Sequence, residues 1–194
     1  IPNGFTAEGF EAFLQTRDEP EWVTERRRDA FALFQKLEVE ELDPEEWKRV
    51  PLRAFRPGKF QLQSEVATPT GLSTLMQDRA EFAGAVIHLD GHCLRQSISD
   101  SLQERGVIFG DLSTVLREHG DVIKPHLATR AVTADADRFS AWHAAFWTGG
   151  TVLYVPRGVT IDEPLYSLIG LARDGAADFS HTLVILEDDA EATL

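Results

Sequence analysis

The residues of this sequence best suited to metal or sulfur chemistry are Cys93 and the two histidines that precede it, His88 and His92. The histidines flank Asp90-Gly91, a dipeptide typical of the two-residue turn of a β-hairpin. Such a turn could bring the two imidazoles close enough to bind a metal ion weakly. Asp and Gly between two histidines is nevertheless a common arrangement, so we predict no metal site from it.

Cys93 is the only cysteine of the chain. A cysteine reacts as its thiolate, which requires a nearby cation or helix N-terminus to lower the pKa of the thiol. Only His92 and Arg95 are near in sequence, so we interpret Cys93 as a passive thiol rather than a sulfur-accepting nucleophile. A single cysteine also excludes an internal disulfide framework and a zinc site made of cysteines.

The remaining histidines and the acidic stretch Glu187-Asp188-Asp189-Ala190-Glu191 lack the spacing of metal sites. His119, His126 and His143 fall on separate predicted helices, without the i, i+4 pairing of a zinc-binding helix. The acidic stretch lacks the alternating ligands and the glycine of an EF-hand loop. We interpret it as a solvated turn, and the three histidines as surface or core residues.

No phosphate-binding motif occurs in the sequence. Gly149-Gly150 and Gly170 belong neither to G-x-x-x-x-G-K-[ST] nor to G-x-G-x-x-G. We therefore assign no catalytic, cofactor-binding or metal-binding residue and expect a protein that is not an enzyme. The chain is predicted neither to hydrolyse ATP nor to hold stoichiometric zinc.

Composition narrows the class of partner. The chain of 194 residues carries 19 Lys+Arg against 32 Asp+Glu, a formal net charge of −13. This charge repels nucleic-acid backbones and anionic membrane surfaces, so we expect neither as a partner. The sequence lacks a signal peptide and any apolar run of about 18 residues, which favours a cytoplasmic protein. A chain that starts on Ile1 and stops at Leu194 inside a predicted strand is expected to be a fragment.

The first 57 residues are predicted to be helical. Thr6 is a helix cap, and Pro20 suits the first turn of a second, amphipathic helix. Asp43-Pro44-Glu45-Glu46 predicts a short third helix. Trp22 and Trp47 stand beside helix starts, so we expect both to be at least partly buried.

Residues 58–150 mix strands with helices. The alternation of Phe60, Leu62 and Val66 predicts a half-buried strand, and a second strand precedes the Asp90-Gly91 turn. The predicted elements after Phe60 to Val66 are the strand Ala83 to Leu89 and the helices Leu112 to Glu118, Asp121 to Leu127 and Asp137 to Trp147.

From residue 151 onwards only short β-rich runs are predicted, separated by turns that contain proline and glycine. They are Thr151 to Val155, Leu165 to Leu171, Thr182 to Leu186 and Ala190 onwards. Their recurrence about every 15 residues fits a sandwich, a barrel or the coils of a β-helix, and periodicity alone does not choose among these. The chain as a whole is predicted to be α+β.

Several of these stretches resemble the SufB/SufD family. In that family an Ala-Ala-Phe helix leads into a Tyr-Val-Pro-Lys/Arg-Gly-Val strand and turn, as Ala144-Ala145-Phe146 and Tyr154-Val155-Pro156-Arg157-Gly158-Val159 do here. Trp142-His143 replaces the Leu-Asn that the family often has. Further similarity lies at Pro164 and residues 181–187. The motifs Pro20-Glu21-Trp22, Ala30-Phe31-x-x-Phe34 and Glu45-Glu46-Trp47-Lys48-Arg49 resemble the SufD branch more than the SufB branch.

The resemblance implies a fold and a set of partners. Residues 151–194 would open a right-handed parallel β-helix, after a helical region at 1–57 and a mixed α+β region at 58–150. The β-helix would pair with a SufB-like paralogue, and an ABC-type ATPase, SufC, would bind a helical domain further towards the C-terminus. The iron–sulfur cluster would belong to the assembled complex, so no cofactor is expected in this chain. A homodimer could cover the open strand edge of the fragment.

Two function classes therefore remain open. The first is a non-catalytic scaffold subunit for iron–sulfur cluster assembly, as the resemblance implies. The second is an enzyme on a β-helix or cupin-like barrel, either carbohydrate-acting or metal-dependent, which the repeated short strands would permit. An enzyme of that kind needs clustered carboxylates or a His-x-His pair, whereas the β-rich part of the chain offers only His181.

Overall fold

The structure, a computed structural model, describes residues 4–39, 43, 45, 47–50, 52, 55–66, 82–129 and 132–194. The α-helices are α1 Ala7–Gln15, α2 Glu21–Glu38, α3 Asp100–Glu104, α4 Leu112–Glu118, α5 Gly120–Ile123 and α6 Arg138–Phe146. A short 3-10 helix spans Pro57–Lys59. The strands are β1 Gln61–Leu62, β2 Gly84–Leu89, β3 His92–Ile98, β4 Ile108–Asp111, β5 Thr151–Val155, β6 Leu165–Gly170, β7 Ala176–Ala177 and β8 Leu183–Leu186.

Helices α1 and α6 begin after residues whose side chains cap free N–H groups. Thr6 caps α1 as predicted, because its hydroxyl accepts a hydrogen bond from the N–H of Gly9 at 3.2 Å. Asp137 caps α6, where its Oδ1 accepts from the N–H groups of Phe139 and Ser140 at 2.7 and 2.9 Å. These caps fix where α1 and α6 start.

Helices α1, α2 and α6 enclose an aromatic cluster, although α6 is more than a hundred residues from the other two in sequence. Its buried members are Phe10, Phe13, Ala30, Phe31, Phe34, Leu62, Ala141, Trp142, Ala145 and Phe146. Phe146 is fully buried, and its ring contacts those of Phe10, Phe13 and Phe31. The N-terminal helices are thus packed onto the helix that leads into β5.

Three small sheets are formed by the described residues, in the orders β1-β7, β3-β2-β6 and β4-β5-β8. The hairpin between β2 and β3 turns at Asp90 and Gly91, whose φ angles of 50° and 83° confirm the predicted turn. β2 runs parallel to β6, and β5 lies between the antiparallel β4 and the parallel β8. Strands distant in sequence therefore hold the sheets together.

The parallel pairing of β5 with β8 keeps one constant offset. It matches Val152 to Leu183 through Val155 to Leu186, which are residues 31 apart in sequence. Isolated parallel bridges continue the same offset at both ends, from Gly149 to Ser180 and from Thr160 to Glu191. Two successive stretches of chain thus lie in register over more than ten residues.

Three sequence predictions were wrong in extent. The predicted strand from Phe60 to Val66 is reduced to β1, because its partner among the described residues, β7, has two residues; Phe60 and Val66 are exposed. The predicted helix from Asp121 ends at Ile123, since Pro125 provides no N–H to continue the hydrogen-bond ladder, although Lys124 keeps helical dihedral angles. From Ala190 onwards the β pairing is limited to the bridge at Glu191, and the carbonyl of Thr193 accepts the N–H of Leu165 at 2.9 Å.

Helix α3 and strand β4 were not predicted from the sequence, and one predicted helix lies largely outside the described residues. Of the predicted third helix, only positions 43, 45 and 47–50 lie among the described residues, where the N–H of Trp47 donates to the carbonyl of Asp43 at 3.1 Å. The burial of both tryptophans is confirmed. Trp22 is half-buried under the guanidinium of Arg26, and Trp47 contacts the ring of Phe139.

The division at residues 57 and 150 stays a prediction. Within the part of the chain that the structure describes, no helix combines the length and the apolarity that crossing a bilayer requires.

Candidate functional site

A buried histidine–aspartate pair joins two of the sheets. His88 on β2 is fully buried, and its Nε2 lies 3.0 Å from Oδ1 of Asp111, the last residue of β4. The other carboxylate oxygen caps α4 by accepting the N–H of Thr114 at 3.1 Å. Gln96 on β3 makes a third hydrogen bond to Asp111, because its Oε1 accepts the backbone N–H of Asp111 at 2.8 Å.

The pKa of Asp111 follows from these partners. Burial alone would raise the pKa of the carboxyl group, but hydrogen bonds from His88 and from the backbone N–H of Thr114 outweigh burial and hold the pKa below its usual value. Asp111 is therefore ionised at neutral pH. This negative charge sits beside an imidazole and, on the other side, beside a thiol.

That thiol belongs to Cys93, which lies opposite His88 across the hairpin. Burial and the charge of Asp111 raise its pKa to about 11, so the free thiol is protonated at neutral pH. Its Sγ lies 3.6 Å from the carbonyl oxygen of Arg95. The electrostatics thus agree with the interpretation of Cys93 as a thiol that is not activated for nucleophilic attack.

The structure does not pair His88 with His92, as the hairpin hypothesis considered. His92 lies opposite Leu89, and its Nε2 is 3.0 Å from the carbonyl oxygen of Gln63. The two-residue turn is the reason, because it makes Leu89 and His92 the first pair of the hairpin and therefore His88 and Cys93 the second. The register shift lies beyond this pair, where Ile87 faces Arg95 and Leu94 is skipped.

A second histidine pair was missed because its members are 38 residues apart. His143 on α6 and His181 before β8 place Nε2 and Nδ1 3.2 Å from each other. Burial, with the charges of His181 and Arg27, lowers the pKa of His143 to about 4, and burial also lowers that of His181. Both imidazoles are neutral at pH 7, so one donates a hydrogen bond to the other.

This pair lies at the wall of a cavity of about 720 Å³ between α2 and α6. Apolar side chains such as Leu33, Leu127 and Ala144 form most of its lining. Its polar lining includes Arg26, Asp29 and Asp135 besides the two histidines.

The other candidate residues lie apart from both clusters. His119 and His126 are exposed. The acidic stretch 187–191 is a turn at the surface, where Glu187 accepts the hydroxyl of Tyr154 and Asp188 pairs with Arg157. Gly149 and Gly170 contact β2 side chains, whereas Gly150, at φ 140°, passes so close to the backbone of His181 that no side chain fits there.

Comparison with known proteins identifies the family. Residues 10–166 match the family described as "SufBD protein N-terminal region". The chain belongs to this SufBD family. The matched residues include His88, Cys93 and Asp111 but stop before His181 and β8.

Individual relatives of the SufBD family extend the match along nearly the whole chain. An iron–sulfur cluster assembly SufBD family protein of Staphylococcus haemolyticus is 25% identical over 96% of this chain and 42% of its own length. Iron–sulfur cluster assembly protein SufD of Bacillus subtilis is 26% identical over 96% of this chain and 43% of its own length. Iron–sulfur cluster assembly protein SufB of Bacillus subtilis is 22% identical over 96% of this chain and 42% of its own length. The chain therefore spans about two-fifths of the length of these relatives.

Proposed function

We propose that this protein is a non-catalytic scaffold subunit of a SUF-type iron–sulfur cluster assembly complex. The observation that carries the proposal is the family match over residues 10–166, together with relatives whose names state iron–sulfur cluster assembly. The described residues are compatible with it, since the thiol of Cys93 is protonated at neutral pH and the partly buried His143–His181 pair is neutral.

The proposed architecture beyond residue 150 is the start of a right-handed parallel β-helix. In a β-helix, each coil pairs in parallel with the next at a constant offset. The offset of 31 residues, kept from the Gly149–Ser180 bridge to the Thr160–Glu191 bridge, supports this proposal. The parallel pairing of β6 with β2 is compatible with it.

The partners proposed are a SufB-like paralogue and a SufC-like ABC ATPase in the cytoplasm. The slightly higher identity to SufD than to SufB of Bacillus subtilis favours the SufD role for this subunit. The ATPase would contact a part of the protein C-terminal to the region matched here. The iron–sulfur cluster is then the cargo of the complex, not a resident cofactor of this subunit.

Co-purification of the full-length protein from its own cells tests this proposal. We expect mass spectrometry of the tagged protein to recover a SufB-like paralogue and an ABC ATPase. In a Gly150→Ala variant the new Cβ would lie 2.0 Å from the carbonyl oxygen of His181, so recovery of the paralogue should fall. In the control Gly58→Ala the Cβ meets open space, and recovery should be unchanged. Isolation of a catalytically active monomer without either partner would contradict the proposal.

A further inference from the structure

The β2–β3 hairpin brings one sulfur, one nitrogen and one oxygen ligand together. The two-residue turn at Asp90 and Gly91 makes Cys93 the cross-strand partner of His88, at a distance where side chains on one face interact. A β-bulge follows directly after this pair, where Ile87 faces Arg95, and bulges often lie beside functional sites. Asp111 approaches the same point from the end of β4.

The ligand atoms of these three residues all lie within 4.8 Å of one another. Ligands about 2.0 to 2.3 Å from one tetrahedral ion are separated by roughly 3.3 to 3.8 Å. The nitrogen of His88 and the oxygen of Asp111 are already 3.0 Å apart. Only Cys93, on the exposed strand β3, would have to move by about 1 Å, which a side-chain rotation can supply.

Two further observations point to a ligand at this place. Nδ1 of His88 is buried without a hydrogen-bond partner among the described residues, so this nitrogen can carry the ring proton and leave the lone pair of Nε2 for an ion. Gly149 leaves space beside Nε2 and Asp111. A Cβ there would lie 3.2 Å from Oδ1 of Asp111 and 3.8 Å from Nε2 of His88, although the φ of Gly149 does not require glycine.

We propose that His88, Cys93 and Asp111 form a three-ligand site for a divalent transition metal ion of the zinc class. This role is additional to the proposed scaffold function and does not depend on it. The sequence alone gave the opposite expectation, because it considered His88 with His92 and not with Asp111.

The donor set selects the ion. A thiolate and an imidazole favour zinc and cobalt over magnesium and calcium, which prefer oxygen ligands only. Asp111 can contribute Oδ1 while Oδ2 continues to cap α4. Three protein ligands leave one coordination position of a tetrahedral ion open for water or another small ligand.

Cobalt titration of the chelator-treated protein is the direct test. We expect one Co²⁺ per chain, with a thiolate-to-cobalt charge-transfer band and the visible bands of tetrahedral cobalt, and displacement of Co²⁺ by Zn²⁺. Cys93→Ala should abolish the charge-transfer band. Asp111→Asn should weaken binding about tenfold or more while Asn still caps α4. Gly149→Ala should weaken binding by filling the space beside two ligand atoms.

His126→Ala is the matched control, because this histidine is exposed and lies outside the cluster. The His126→Ala variant should still bind one Co²⁺ per chain and show both the charge-transfer band and the visible bands of tetrahedral cobalt. The proposal is overturned by the absence of saturable cobalt uptake in the folded wild type. It is equally overturned if Cys93→Ala and Asp111→Asn bind cobalt as the wild type does, since the ion would then lie elsewhere.

Discussion

The aromatic cluster of the helices buries its large apolar side chains, whereas the strands β6 and β8 leave several of theirs exposed. In the cluster, Phe13 is 2% exposed and Phe146 is fully buried. In the strands, Val184 and Leu186 of β8 are 46% and 47% exposed, and Ile169 of β6 is 42% exposed. The first region closes its core, whereas the second presents apolar residues to solvent.

The sheet order explains the difference. β6 and β8 are each the outermost strand of their sheet, so one row of backbone N–H and C=O groups on each strand is unpaired within the described sheets. Apolar side chains on such an edge are suited to contact with another strand. The helices support the fold of this chain, and the strands offer a surface for continuation or association.

Truncation of one large apolar side chain in each region should give the largest contrast. Phe146→Ala should lower the free energy of unfolding by about 4 kcal/mol, because a fully buried ring in contact with four others leaves a cavity. Leu171→Ala should leave the free energy of unfolding nearly unchanged, because the Leu171 side chain is 60% exposed. Urea unfolding measures both. Similar costs for the two variants would show that Leu171 is covered in solution.

Two arginine ion pairs show the same contrast between a buried and an exposed environment. Arg27 on α2 is fully buried, binds both carboxylate oxygens of Glu19 at 2.8 Å and lies 3.6 Å from the ring centre of Trp147. Arg27→Met should cost about 3 kcal/mol, because it leaves the Glu19 carboxylate buried without its main partner. Arg157→Met breaks an exposed pair with Asp188 and should leave the urea midpoint unchanged. Equal midpoints for the two variants would contradict this account.

The His143–His181 contact joins the two regions and should make stability depend on pH. The pKa of His143 is lowered from 6.5 to about 4 in the folded protein, so the unfolded chain binds more protons between these values. Stability is therefore present above about pH 6.5 and is lost as the pH falls towards 4. When the pH falls from 7 to 4.5, the free energy of unfolding of His143→Gln should decrease by about 2 kcal/mol less than that of the wild type. Parallel pH profiles of unfolding would show that His143 titrates normally.

Local signals in the sequence predicted a large part of the fold. The cap at Thr6, the helical spacing after Pro20 and the Asp90-Gly91 turn are set by neighbours in the chain. The extents of β1 and α5 depended instead on a distant partner strand and on Pro125. The constant offset between β5 and β8 also has no local signal, because it joins residues 31 apart.

The candidate site was less predictable than the fold. Cys93 and His88 were singled out from their residue types, and the predicted two-residue turn makes them cross-strand partners, although the sequence analysis paired His88 with His92 instead. Asp111 was not considered as a ligand, since nothing in the sequence places it against β2. The glycine at position 149 was weighed as a phosphate-binding residue, whereas the structure places it beside the His88–Asp111 pair.

The smallest expected effect on stability is at the edge of β8, where association is the informative quantity. Val184→Lys should change the free energy of unfolding by less than about 0.5 kcal/mol, since the side chain is exposed. It should nevertheless reduce concentration-dependent self-association, because a lysine on an edge strand opposes pairing with another chain. Val39→Lys at the end of α2 adds the same charge to a side chain 83% exposed and should leave association unchanged. Light scattering over a concentration series measures both variants. A wild type that stays monomeric at high concentration, with residues 190–194 protected from hydrogen exchange, would show that the edge is covered within the chain and that the proposed open β-helix is wrong.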